Sequence, residues 1–99
     1  MTEYIELTTA GEMLKEDFIN AFEISQNALA KAINVPPNRI HQIVKGHRRI
    51  TADTDLRLCK YFGMSEGFFL HYQEDVELRQ TKRNILPEIN NIKPIQQKA

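Results

Sequence analysis

Ninety-nine residues carrying 13 Lys or Arg against 13 Asp or Glu give a chain of zero net charge with material for one modest core. That balance excludes a uniformly basic coat, the lone Cys59 excludes an internal disulfide, and no window approaches the ~20 apolar residues of a membrane span. The opening MTEYIELTT has neither the basic start nor the apolar run of a signal peptide, so a cytoplasmic protein without a membrane partner is expected.

Residues 1 to 9, where Tyr4, Ile5 and Leu7 alternate with Glu3 and Glu6, suggest a short extended arm ahead of a domain over 10 to 79. Thr9-Ala10-Gly11-Glu12 fits a capping box, and it opens a first helix from about Ala10 to Phe22 with Leu14, Phe18, Ala21 and Phe22 as its buried stripe. Ser25 caps a short second helix with Leu29, Ala32 and Ile33 on one face, and Asn34 is suited to the left-handed conformation that ends it. Pro36-Pro37 starts a third helix at once, buried through Ile40, Ile43 and Val44 and stopped by Gly46. Thr51 caps a fourth, with Leu56, Cys59 and Phe62 as its apolar face, together with Ala52 and Tyr61, up to Gly63. Ser65-Glu66 starts a fifth, whose Phe68, Phe69, Leu70, Tyr72, Val76 and Leu78 are too many for one stripe. Residues 80 to 99 are read as a mobile or partner-ordered tail, because Ile85, Leu86, Ile89, Ile92 and Ile95 are broken by Pro87 and Pro94. The fold expected is all-α, with five helices and a C-terminal extension.

The neutrality is an average over two unlike surfaces. From Ile24 to Ala52 there are five Lys or Arg (Lys31, Arg39, Lys45, Arg48, Arg49), two His and no acid, whereas the preceding residues hold Glu3, Glu6, Glu12, Glu16, Asp17 and Glu23 against Lys15 alone. A local basic patch of this kind captures phosphate even on a neutral protein. It coincides with two short helices joined by a tight turn, the second polar on its outward side, which is the helix-turn-helix pattern. A major groove admits one α-helix, so the second helix must stand clear while the first lies across its back, and the small Ala30 lets the two approach. The start of the first of the pair, Ser25-Gln26, would aim backbone amides at a phosphate.

The stretch SQNALAKAINVPPNRIHQIVKG resembles the helix-turn-helix of Cro/CI-type (XRE, lambda-repressor-like) repressors from Ser25 through Gly46, and over residues 10 to 80 the chain is similar to the HigA (VapI-like) antitoxins through PPNRI, GHRRITADT and YFG. The resemblance implies a homodimer that binds double-stranded DNA at a palindromic operator in its own promoter and neutralises a HigB-type, RelE-like mRNA-cleaving toxin. It places base contacts on Pro37, Asn38, Arg39, His41 and Gln42. Pro37 departs from the pattern in offering no side-chain hydrogen bond, which shifts the weight to Asn38, Arg39 and Gln42. Phosphate contacts fall to Ser25, Gln26, Lys45, His47, Arg48 and Arg49, and the surplus aromatics point to a dimer seam of Phe68, Phe69, Tyr72 and Val76.

His41, His47 and His71 lack the spacing and the companions of a metal set, nothing pairs a nucleophile with a base, and no cofactor motif is present, so a non-enzymatic protein without metal or cofactor is expected. Three readings compete with the antitoxin repressor. One is a phage-type repressor with no toxin, one a protein-interaction module that only sequesters a toxin through its acidic helix or tail, and one an architectural DNA binder indifferent to sequence.

Overall fold

Five α-helices and one π-helical segment make up the regular structure of residues 7–96, the residues that the computed structural model describes. In chain order they are α1 (Ala10–Met13), which runs directly into the π segment (Leu14–Asn20), then α2 (Gln26–Ile33), α3 (Pro37–Val44), α4 (Ala52–Phe62) and α5 (Phe68–Asn90). There is no strand among the described residues, and the all-α expectation holds. Most of the expected N-terminal arm, residues 1–6, lies outside the described residues.

The capping box forms: Thr9 Oγ1 accepts from the Glu12 amide at 3.1 Å and Glu12 Oε1 accepts from the Thr9 amide at 3.0 Å. Accepting these bonds holds the Glu12 carboxyl below its ordinary value of 4.5, so this contribution is in place above that pH and is lost as the pH falls through the lowered value. The expected single α-helix to Phe22 does not form. From Leu14 the wider i→i+5 turn rotates successive side chains differently, so Leu14, Phe18 and Ile19 are buried while Ala21 is exposed and Phe22 is 59% exposed. A stripe laid out at 3.6 residues per turn misplaces Ala21 and Phe22 for that reason.

Asn34 ends α2 at φ 62°, ψ 51°, and the Val35 amide donates back to the Ala30 carbonyl at 2.9 Å, which turns the chain into α3 within two residues. Ala30 is fully buried between the two helices. At the other end of α3, helix α1 comes so close that a Cβ on Gly11 would lie 2.0 Å from the Ile43 carbonyl oxygen; only glycine permits that approach.

Two expectations for the second half are corrected. The buried face of α4 is Thr54, Asp55, Leu58 and Cys59, whereas Leu56 and Tyr61 are 47% and 46% exposed, because the fully enclosed positions include an acid that hydrophobicity patterning skips. Helix α5 starts at Phe68 rather than Ser65 and continues through Pro87 to Asn90, so residues 80–90 of the expected tail are helical. This helix has no cap of its own, since Gly67 stands at φ 92° with no side chain to offer. Asp55, 1% exposed, supplies the cap from α4: Oδ2 accepts from the Gly67 amide at 2.7 Å, and Oδ1 accepts from the Phe69 and Leu70 amides at 2.9 and 3.0 Å. Cys59 Sγ also lies 3.6 Å from Asp55 Oδ1, and burial pushes the Cys59 thiol above its ordinary value, consistent with a packing role.

Around this junction the rings of Phe18, Phe62, Phe68 and Phe69 form one cluster, with the Phe18 centroid 4.9, 5.9 and 5.0 Å from those of Phe62, Phe68 and Phe69. Tyr72, one turn further along α5, donates to the Thr8 carbonyl at 2.8 Å and fastens the start of the described chain. Beyond Val76 the helix leaves the core: from Glu77 to Asn90 only Arg83 is other than exposed. The radius of gyration of 17.3 Å therefore exceeds the roughly 13 Å of a spherical domain of this length.

Asp55→Ala leaves three first-turn amides without an acceptor and is expected to lower the unfolding free energy by about 3 kcal/mol in urea denaturation followed by circular dichroism. Asp55→Asn, which keeps one acceptor oxygen, should lose less.

Candidate nucleic-acid interface

Helix α3 is anchored by Ile40 and Ile43, 0% and 2% exposed, and everything else it carries of a polar kind faces outward or sideways. Pro37, Asn38 and Lys45 are exposed; Arg39, His41 and Gln42 are half-buried. Pro36 and Pro37 set the backbone at its start, so the first outward turn begins without a preceding linker that would cover it. Helix α2 lies behind, its Ser25 hydroxyl accepting from the Ala28 amide at 2.9 Å. That cap leaves the amides of Gln26 and Asn27 without an intrahelical acceptor, the usual state of an anion-receptive helix start.

The structure places Asn38, Arg39 and Gln42 along the first two turns of α3 and packs α2, which Ser25 caps and Gln26 begins, against that helix. His41 has a second duty. Its Nε2 lies 3.1 Å from Asn27 Oδ1, which ties α3 to α2, and so its ring is not free in the way that Asn38 is.

The patch is less free of acid than its sequence implies. Arg39 Nη1 sits 3.4 Å from Asp53 Oδ1, and Arg49 makes a two-pronged pair with Glu77, 2.9 Å from Nε and 2.8 Å from Nη2. Both acids come from helices downstream of the acid-free run, α4 and α5, and reach it only through the fold. Lys45, His47 and Arg48 make no side-chain hydrogen bond or ion pair with a described residue, so these side chains beside α3 are left to a ligand.

What holds the loop that presents them is a residue no motif singles out. Gln73, 7% exposed on α5, accepts from the Ile50 amide through Oε1 at 2.8 Å and donates to the Ile50 carbonyl through Nε2 at 2.9 Å. One helical turn on, Glu77 takes Arg49. Residues 49–50 are thus clipped to α5 at two successive turns. The sequence signal for Gln73 is faint: it falls at i+4 from Phe69 and i−3 from Val76, on the helix face that those two apolar residues mark as buried.

The expected dimer seam needs correction. Phe69 is 0% exposed and Val76 7%, so neither ring nor isopropyl group can reach a second chain, while Phe68 and Tyr72 pack partly against the same core. One core takes Phe69 and packs Phe68 and Tyr72 against its edge, with Phe18 of the π segment in ring contact with Phe68 and Phe69. The apolar surface that α5 does leave open lies further along, at Leu78 (71% exposed), Ile85 (41%), Leu86 (37%) and Ile89 (39%). No group of three or more His, Cys, Asp or Glu among the described residues could hold a metal ion, and no helix there is long and apolar enough to cross a membrane.

The Helix-turn-helix family model matches residues 15–69 of this chain. The chain is 41% identical over 85 residues to Virulence-associated protein I of Dichelobacter nodosus, covering 86% of this chain and 78% of that protein. It is 31% identical over 87 residues to Antitoxin HigA-1 of Vibrio cholerae, covering 88% and 82% respectively. Among solved structures, Pseudomonas aeruginosa antitoxin HigA with the higBA promoter superposes with a TM-score of 0.83 at 32% identity, over 92% of this chain and all of the other.

Replacing Gln73 by Leu, which matches it in bulk, strands the Ile50 amide and carbonyl and should cost about 1–3 kcal/mol. Amide hydrogen exchange should show Ile50 and its neighbours losing protection while the α2 and α4 amides keep theirs.

Proposed function

Because this chain belongs to the HigA (VapI-like) antitoxin family of helix-turn-helix proteins, we propose that it is an autorepressor that binds its own promoter and neutralises a HigB-type toxin in the cytoplasm. The observation that carries the DNA half is the outward first turn of α3, flanked by the α2 amides on one side and by the unpaired Lys45 and Arg48 on the other. In this reading Asn38, Arg39 and Gln42 read base edges, since amides pair bidentately with adenine and guanidinium with guanine. Pro37 supplies only apolar contact there, and His41 acts mainly by bracing α3 on α2. The Gln26 and Asn27 amides, Lys45, His47 and Arg48 take phosphates, with Arg49 joining when it leaves Glu77. A Pseudomonas aeruginosa antitoxin HigA has been solved with the higBA promoter, which supports assigning that kind of target here.

The toxin half rests on the relatives named as antitoxins and on charge. Glu12, Glu16, Asp17 and Glu23 are all exposed, an acidic surface suited to a basic, RNA-cleaving partner.

The protein acts as a homodimer in this reading, and the distal half of α5 is the surface best fitted to make it. Leu78, Lys82, Ile85 and Ile89 fall at spacings of four, three and four, the seam of a two-helix coil. Parallel pairing would set Lys82 against its own copy. Antiparallel pairing about Ile85 sets it opposite Glu88 of the partner subunit, which favours that arrangement. Two recognition helices about 34 Å apart then require an inverted repeat.

Fluorescence anisotropy on the chain's own promoter and on a scrambled duplex, at near-physiological salt, is expected to favour the promoter by about 10³-fold or more, with both affinities falling steeply as salt rises. Asn38→Ala and Gln42→Ala should narrow that ratio and Arg48→Ala should weaken both duplexes alike; equal binding of the wild type to both would sink the repressor reading. In sedimentation, Ile85→Glu should turn a dimer into a monomer and weaken promoter binding without altering the melting of the domain.

A further inference from the structure

Two arginines share one carboxylate oxygen beside the recognition helix. Asp53, in the first turn of α4, places Oδ1 2.8 Å from Arg57 Nε and 3.4 Å from Arg39 Nη1. Arg57 is itself fixed at its other end: Nη1 donates to the Ile33 carbonyl at 2.9 Å and reaches the Asn34 carbonyl at 3.4 Å. Those carbonyls close α2, where the last turn of a helix has no amides to accept and carries the negative end of its dipole, so a guanidinium is held there by geometry as well as by charge. The chain of contacts therefore starts on the end of α2, passes through two α4 residues one turn apart, and ends on the first turn of α3.

Its effect falls on Arg39. A free arginine side chain surrenders rotamer entropy when it is immobilised. Arg39 is already half-buried and paired, with one terminal nitrogen turned to Asp53 and the remaining donors of its fork left for a ligand. Asp53 also has a repulsive role. Its side chain is 59% exposed, and if Arg39 swings away to a phosphate the carboxylate keeps only Arg57 as a partner and turns an exposed, half-compensated negative charge toward the nucleic-acid backbone. We infer that Asp53, anchored through Arg57, is a specificity-determining positioning residue: it aims Arg39 at one base pair and penalises its use as a mere phosphate contact.

This rests on the proposal that α3 reads operator DNA. The test is anisotropy of the full chain on a panel of promoter duplexes, each with one base pair changed, and on a scrambled duplex. The proteins are the wild type, Arg39→Ala, Asp53→Asn, Arg57→Lys and the Arg39→Ala/Asp53→Asn pair, with thermal melting run alongside. Asp53→Asn should abolish discrimination, by about tenfold or more, at the base pair where Arg39→Ala abolishes it and nowhere else, and the pair should lose no more there than either single change. Binding of Asp53→Asn to the scrambled duplex should hold or tighten, since an acid has gone. Arg57→Lys, which keeps the charge but cannot span both anchors, should lose discrimination at that same base pair to a smaller degree. The inference is overturned if Asp53→Asn keeps the wild-type profile, if it weakens every duplex evenly, or if Arg39→Ala itself changes no base preference. A wild type that prefers no duplex would overturn the operator reading itself, and the positioning role with it.

Discussion

The Asp55 carboxylate is the point on which the two halves of this molecule depend. Helix α5 begins on a left-handed glycine without a cap, at the edge of a core that encloses the Phe69 amide and half-buries those of Gly67 and Leu70. A buried acid on α4 accepts from three of them and so fixes both where α5 starts and the direction in which it leaves. Placing Phe69 against Phe18 follows from that direction, and so does the alignment of Gln73 and Glu77 beneath the loop after α3. A carboxylate is costly to bury unless its oxygens are filled, and here the backbone fills them.

From that junction the basic loop after α3 is held by contacts of long sequence range. The Ile50 amide and carbonyl are taken by a side chain 23 positions away, and Arg49 by one 28 positions away. The basic loop behaves as an attachment of α5 more than as the end of α3. A rotation of α5, whose far end projects from the core, would be transmitted to Arg49 and Ile50 directly. Gly11 also locks α1 to the C-terminal end of α3 at backbone distance, so that end of the helix is braced from both α1 and α5.

Much of this is legible in the chain. The capping residues Thr9, Ser25 and Thr51, the left-handed Asn34 and the Pro36-Pro37 start are local signals whose geometry is decided within four residues, and each appears where its chemistry requires. The misreadings come from what lies beyond that range. The π turns after Met13 alter the angular spacing that periodicity assumes, so a regular stripe assigns Ala21 and Phe22 to a core that takes Ile19 instead. Asp55 and Gln73 escape patterning because their burial depends on partners from distant parts of the chain. Phe69 reads as a contact to a second copy because the hub that receives it, Phe18, lies 51 residues earlier. The acid-free run is real as a sequence and incomplete as a surface, since Asp53 and Glu77 arrive from other helices.

The borrowed cap on α5 also has a meaning for the order in which the chain is made. A ribosome releases α1 to α4 before α5, and at that stage the Asp55 carboxylate has no amides to accept and the Phe18 ring lacks Phe69. The nascent segment holds a buried acid that favours solvent over its own core. Helix α3 can form early from local signals, but it gains a settled base only when the start of α5, some two-thirds of the way along the chain, emerges, so commitment to the folded state comes late in translation.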